Sequence, residues 1–197
     1  MTRGEEEGGL SVVELLKWCS RRKDVVSGRV VHSEVVEMMM MMRFDGDGYG
    51  GDECGRGDGV VGGALIGMYA RCGAVREARC VLDHLPSPRH LISWSALISA
   101  YSQHGHGHQA LQCLSEMHRE GLSPDVVTFI SILKACRITG SLHKGKQIHD
   151  EIASKGLLAN NIALANSLVS MYTKCGELAA AQRVFDELPV RNTISWS

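Results

Sequence analysis

The chain has 197 residues, 44% of them apolar and 22% charged, with a net charge of −1; that is enough apolar content for one or two compact domains or a short solenoid, and it excludes disorder throughout. No window approaches the roughly 18 uninterrupted apolar residues of a membrane-spanning helix, which excludes transporters and channels and predicts a soluble protein without membrane partners. Seven scattered cysteines with no Cys-x-x-Cys pair read as reduced thiols, and 5% aromatic residues with four prolines favour helix over a β-sandwich.

Self-comparison organises the chain from its first residues. Residues 1–8 are acidic, with three consecutive glutamates, and are read as disordered; no transit peptide is legible there. Residues 9–58 form a first unit. Its segment LLKWCSRRKDVVSGRVVHSEV matches ILKACRITGSLHKGKQIHDEI 117 residues later, pairing Cys19 with Cys136, Gly28 with Gly145 and His32 with His149. A Gly- and Asp-rich insertion, read as flexible, interrupts this unit at about residues 43–58. Its opening has calcium-loop spacing, but Arg56 stands where a bidentate Glu is required.

The second unit, 59–90, lines up with the fifth, 162–192, at an offset of 103: Tyr69 with Tyr172, Cys72 with Cys175 and Pro86 with Pro189. Between them lie units 91–125 and 126–161, and residues 193–197 begin another, repeating ISWS and stopping as in a truncated product. Gly73, Gly105, Gly140 and Gly176, spaced by 32, 35 and 36, separate the two amphipathic segments of each unit. In unit 91–125, Trp94, Leu97, Ile98 and Tyr101 recur at helical spacing, and after the glycine break so do Ala110, Leu111, Leu114 and Met117. A hairpin of two helices cannot bury both stripes alone. The expected fold is therefore all-α, a right-handed α-solenoid of stacked helix-turn-helix units with a concave groove lined by first helices.

The motifs YARCG, YTKCG, LKACR, GKQIH, VFDELP and ISW at these offsets resemble the pentatricopeptide repeats of the plant PLS subclass. On that resemblance, 9–58 and 126–161 are long-type repeats, 59–90 and 162–192 short-type, and 91–125 a standard repeat of 35 residues. The resemblance implies a reader of single-stranded RNA in which each repeat offers its fifth and last residues to one unstacked base and an aliphatic second residue packs on base faces. It assigns Ser95 with Asp125, and Asn166 with Asn192, as base-reading pairs, the first implying a purine with guanine favoured and the second a pyrimidine. Ile92, Val127 and Ala163 become the packing residues. Gly63 with His90, and Ile130 with Asn161, are weak or off-pattern readers.

The same resemblance implies a role in organelle RNA processing or C-to-U editing in a mitochondrion or chloroplast, with RNA-editing or RNA-processing proteins as partners. No catalysis by the chain itself, no metal and no cofactor are expected. A helical scaffold for protein–protein contacts is the alternative. Residues 1–58 carry a net charge of −4 and residues 59–197 a net of +3, so only the later part favours a phosphate backbone.

Five other patterns have plainer readings. GSLHKGKQ, residues 140–147, lacks the hydroxyl residue and the preceding strand of a phosphate loop. His104, His106 and His108 sit on an interhelix turn, where exposed imidazoles cost nothing. His32 and Glu34 match half of a zinc deaminase signature whose Pro-Cys-x-x-Cys half is missing. The methionines at 38–42 extend a helix, and Cys72, Cys136 and Cys175 are small packing residues rather than nucleophiles.

Overall fold

The computed structural model describes residues 11–44, 54–85, 89–158 and 161–186, and among them it holds ten α-helices and no strand. They are α1 (Val12–Arg22), α2 (Val25–Phe44), α3 (Cys54–Arg71), α4 (Val75–His84), α5 (Leu91–Gln103), α6 (Gly107–Arg119), α7 (Val126–Thr139), α8 (Leu142–Ser154), α9 (Ile162–Lys174) and α10 (Leu178–Asp186). Each sequence unit supplies one helix pair. The chain divides into two compact bodies, residues 1–86 with α1 to α4 and residues 87–197 with α5 to α10.

Local chemistry sets the helix ends. Ser11 and Glu14 form a reciprocal cap on α1, Glu14 N–H donating to Ser11 Oγ at 3.3 Å and Ser11 N–H to Glu14 Oε2 at 2.9 Å. Asp24 starts α2 by accepting the N–H groups of Val26 and Ser27 at 3.1 Å, and Asp125 caps α7. Gly73, Gly105, Gly140 and Gly176 all have φ between 67° and 81°, the left-handed turn that the repeat spacing predicts.

In the first body α1 packs on α2 and α3, and α3 on α4. In the second, α7 lies between α5 and α9, with α6 packed on α7 and α8 on α9. First helices thus adjoin one another and second helices flank them, the arrangement of an α-solenoid. Packing on several sides accounts for the near-continuous burial of α5, from Ser93 through Ser102 with only Ala96 and Ser99 half-exposed. By contrast, α6 buries one stripe, Gly107, Ala110, Cys113, Leu114 and Met117. Trp94, Leu97 and Ile98, expected in the core, are fully buried; Leu111 is half-exposed.

One structural difference from the sequence reading concerns the insertion at 43–58. The helix α2 continues to Phe44 and α3 already begins at Cys54, so both ends of the insertion are helical, while residues 45–53 lie outside the described residues. No proline interrupts residues 54–71, so α3 can begin at Cys54 even though Gly55, Gly57 and Gly59 lower the helix propensity of its first turns.

Candidate nucleic-acid interface

The second body sets three first helices in one register. His90, Asp125 and Asn161 are the N-cap residues of α5, α7 and α9. Ile92, Val127 and Ala163 are therefore each the second residue of their helix, and all three are exposed, Ile92 at 57% and Val127 at 60%. One turn further on stand Ser95, Ile130 and Asn166. Asp125, the last residue of unit 91–125, thus starts the helix of the next unit, and through that helix it comes close to Ser95, the fifth residue of its own unit.

That closeness is realised in a chain of hydroxyls. Asp125 Oδ1 accepts the Thr128 N–H at 2.8 Å and the Thr128 hydroxyl at 2.6 Å, and Thr128 Oγ1 lies 2.6 Å from Ser95 Oγ. Thr128 is fully covered, Ser95 is 9% exposed and Asp125 is open to solvent. Two more hydroxyl contacts continue the seam between α5 and α7. Ser99 and Ser131 meet at 2.7 Å, and Ser102 donates to the Ser131 carbonyl at 2.7 Å. Ser95 and Asp125 are the pair that their repeat positions predict; no sequence signal marks Thr128, because the link needs two hairpins side by side.

A hub at Glu120 holds the two ends of the α5–α6 hairpin together. The Glu120 carboxylate pairs with the Arg89 guanidinium and accepts the Trp94 indole N–H at 2.9 Å, while Arg89 lies 5.7 Å from the Trp94 ring centre. Trp94 directly precedes Ser95, and Glu120 lies five residues before Asp125, so the hub stands close in sequence to both.

The remaining candidate residues are placed as follows. Asn166 and Asn161 are half-buried, and Asn161 Nδ2 donates to the Leu157 carbonyl at 3.2 Å. Ile130 is half-exposed, His90 exposed and Gly63 buried within α3. Asn192 lies outside the described residues. Cations accompany these positions: Lys134 and Arg137 on α7, Lys174 on α9. In the first body a cavity of about 410 Å³ between α1 and α3 is lined by Lys17, Arg21 and Arg71 with Ser20, Ala64 and Gly67. A side chain at Gly67 would meet nothing within 4 Å, so the cavity stays open above it.

The near-miss motifs are occupied structurally. Gly140 ends α7 in the left-handed conformation, so a helix, not a strand, precedes GSLHKGKQ. A Cβ on Gly145 would come within 2.5 Å of Met171 Sδ, and one on Gly28 within 2.5 Å of Met68 Sδ. His32 Nδ1 bonds the Tyr69 hydroxyl at 3.0 Å, and His149 Nδ1 bonds Tyr172 at 2.9 Å. Two sets of sequence matches, at offsets 117 and 103, therefore meet in one recurring junction. Above it Arg29 pairs with Glu77 at 2.7 Å and Lys146 with Glu177 at 3.0 Å. These glutamates are not sequence equivalents, since Glu177 follows Gly176 directly whereas Glu77 lies four residues after Gly73. Burial, with Cys175 nearby, pushes the Cys136 thiol up to about 11, which suits a packing residue and not a nucleophile.

Comparison with known proteins matches this arrangement. A PPR repeat family model covers residues 89–137, and a PPR repeat model covers residues 164–192. A chloroplastic pentatricopeptide repeat-containing protein of Arabidopsis thaliana is 35% identical over 95% of the chain, and a mitochondrial one is 34% identical over 93%. The chain spans 28% and 26% of those relatives' lengths. Among solved structures, the pentatricopeptide repeat protein PPR10 from maize aligns over 89% of the chain and 23% of its own, with a TM-score of 0.57 and 18% identity. PPR10 in complex with an 18-nt psaJ RNA element aligns over 94% of the chain and 31% of its own, with a TM-score of 0.58 and 16% identity. Stacked helix hairpins, the register of their first helices and these likenesses together place the chain in the pentatricopeptide repeat family.

Proposed function

We propose that the chain binds single-stranded RNA along its layer of first helices, in the alternating long, short and standard repeats of the PLS subclass. It acts by binding, without catalysis of its own. One observation carries this reading: Ile92 and Val127 sit exposed at the same position of adjoining helices, with Ala163 exposed at the third. Aliphatic surface held in a row beside polar readers suits the faces of unstacked bases. Ser95 with Asp125 and Asn166 with Asn192 read base edges, while Lys134, Lys174 and the Lys17, Arg21 and Arg71 cluster meet phosphates. Each discriminated base contributes about 1–3 kcal/mol, so two such positions give low selectivity. The relatives' mitochondrial and chloroplastic names support an organelle setting, with transcript processing or editing as the context and processing proteins as partners.

Fluorescence anisotropy with degenerate single-stranded RNA over a salt series tests the proposal. Binding at about 50 mM salt that weakens as salt rises is expected, because neutralised phosphates release counterions. The double change Asn166→Ala and Asn192→Ala weakens it further. No binding at about 50 mM salt refutes the RNA reading and favours a protein-binding scaffold, for which the exposed Val26 and Val30 on α2 offer apolar surface.

A further inference from the structure

We infer that Thr128, which belongs to the following repeat, sets the base preference of the Ser95 and Asp125 pair by fixing the direction of the Ser95 hydroxyl. This inference rests on the RNA-binding reading above. Proton counting carries it. A carboxylate only accepts, so the single Thr128 hydroxyl proton goes to Asp125 Oδ1 at 2.6 Å. The 2.6 Å contact between Thr128 Oγ1 and Ser95 Oγ then needs its proton from Ser95. Thr128 is fully covered, so no solvent competes for that arrangement.

With its one proton committed, Ser95 has only oxygen lone pairs left to offer. Asp125 has its second oxygen, Oδ2, also an acceptor. The repeat thus presents two acceptors and no side-chain donor. Guanine carries two adjacent donors, N1–H and the N2 amino group, on its pairing edge, whereas adenine and cytosine carry one donor beside an acceptor and uracil a single N–H between two carbonyls. A Ser95 hydroxyl released from Thr128 turns freely and donates as readily as it accepts, which admits the adenine N1. Thr128 is accordingly a positioning residue: it touches no base, and it decides what Ser95 can do.

The test compares oligouridine strands bearing one central guanosine or one central adenosine, bound to the full chain and to variants, with melting temperatures measured alongside. The unaltered chain is expected to favour guanosine about tenfold. Thr128→Val is expected to bring that ratio close to one, chiefly by tightening the adenosine strand relative to the guanosine strand, and Thr128→Ser to restore it. Thr128→Cys, a weaker hydrogen-bonding residue of similar size, serves if the valine variant does not fold. A ratio unchanged in Thr128→Val, or equal loss for both strands, overturns the inference, since a purely structural threonine would give the latter. Binding of the unaltered chain without guanosine preference overturns it too and leaves the RNA reading standing. Absence of binding to either strand overturns both.

Discussion

Gly107 opens α6 against the last turn of α7, and Gly107→Ala is expected to destabilise the protein although alanine is the better helix former. The added Cβ would lie 2.7 Å from Thr139 Cγ2, 3.0 Å from the Ala135 carbonyl oxygen and 3.3 Å from Ile138 Cγ2, well inside the usual 3.5–4.0 Å separation of carbon atoms. Neither of the nearer neighbours yields easily. The carbonyl is helix backbone, and the Thr139 rotamer is held by its hydroxyl, which donates toward the Ala135 and Cys136 carbonyls and lies 2.8 Å from Ser141 Oγ. Overpacking of this kind costs about 1–3 kcal/mol. The helix-propensity gain offsets at most about 1 kcal/mol, and less at a helix's first residue. A net loss of about 1–2 kcal/mol follows, a fall in melting temperature of roughly 2–8 °C for a chain of this size. Urea unfolding followed by circular dichroism measures it, and hydrogen exchange should locate the loss in α6 and α7. Gly67→Ala is the matched control. Its Cβ meets nothing within 4 Å in mid-α3, so it should stabilise by about 0.5–1 kcal/mol. Equal or greater stability of Gly107→Ala would refute the close-approach argument.

Three further outcomes are expected. Burial, and then the nearby His84, hold the His32 imidazole below its ordinary value, so folding favours the neutral ring; stability present above about pH 6.5 is lost as pH falls from there through the lowered folded value. Thermal melts between about pH 8 and 5 should show this decline, and His32→Asn should flatten it. Glu120→Ala leaves Arg89 and the Trp94 indole without their shared carboxylate and should cost about 1–3 kcal/mol in urea unfolding, with no loss pointing to a hub without energetic weight. In a Cys54→Ser background at about pH 8, a disulfide-exchange reagent should modify exposed Cys80 at once and Cys136, with its thiol at about 11, only on unfolding. Rapid native reaction of Cys136 would contradict its burial.

The repeat spacing carried most of the fold. Glycines 32 to 36 residues apart mark the hairpin turns because a left-handed backbone at each turn selects that residue. The apolar stripes of Trp94, Leu97 and Ile98 identify the core because burial follows helical period. Gly107 was less legible: within GHGHG it reads as another turn residue, yet Gly105 makes the turn and Gly107 makes the packing contact. Position within the unit pointed to Ile92, Val127 and Ala163, and their exposure agrees with that register. The links that depend on two hairpins meeting were not legible. Thr128 looks like any threonine near a helix start, and nothing in the chain order connects Lys146 to Glu177.

The recurring His–Tyr junction and the hydroxyl seam are different chemistries joining hairpins of the same outline. Histidine and glycine on one hairpin need tyrosine and methionine on the next, as Gly28 and His32 meet Met68 and Tyr69, and Gly145 and His149 meet Met171 and Tyr172. A genetic event that duplicated a single hairpin would leave one of these couplings facing a surface with the wrong complement. Copying the three-hairpin block that separates the two His–Tyr junctions keeps each seam facing its complement. Growth of such arrays by blocks of three hairpins, the interval at which the His–Tyr junction returns, would be the heritable trace of this packing.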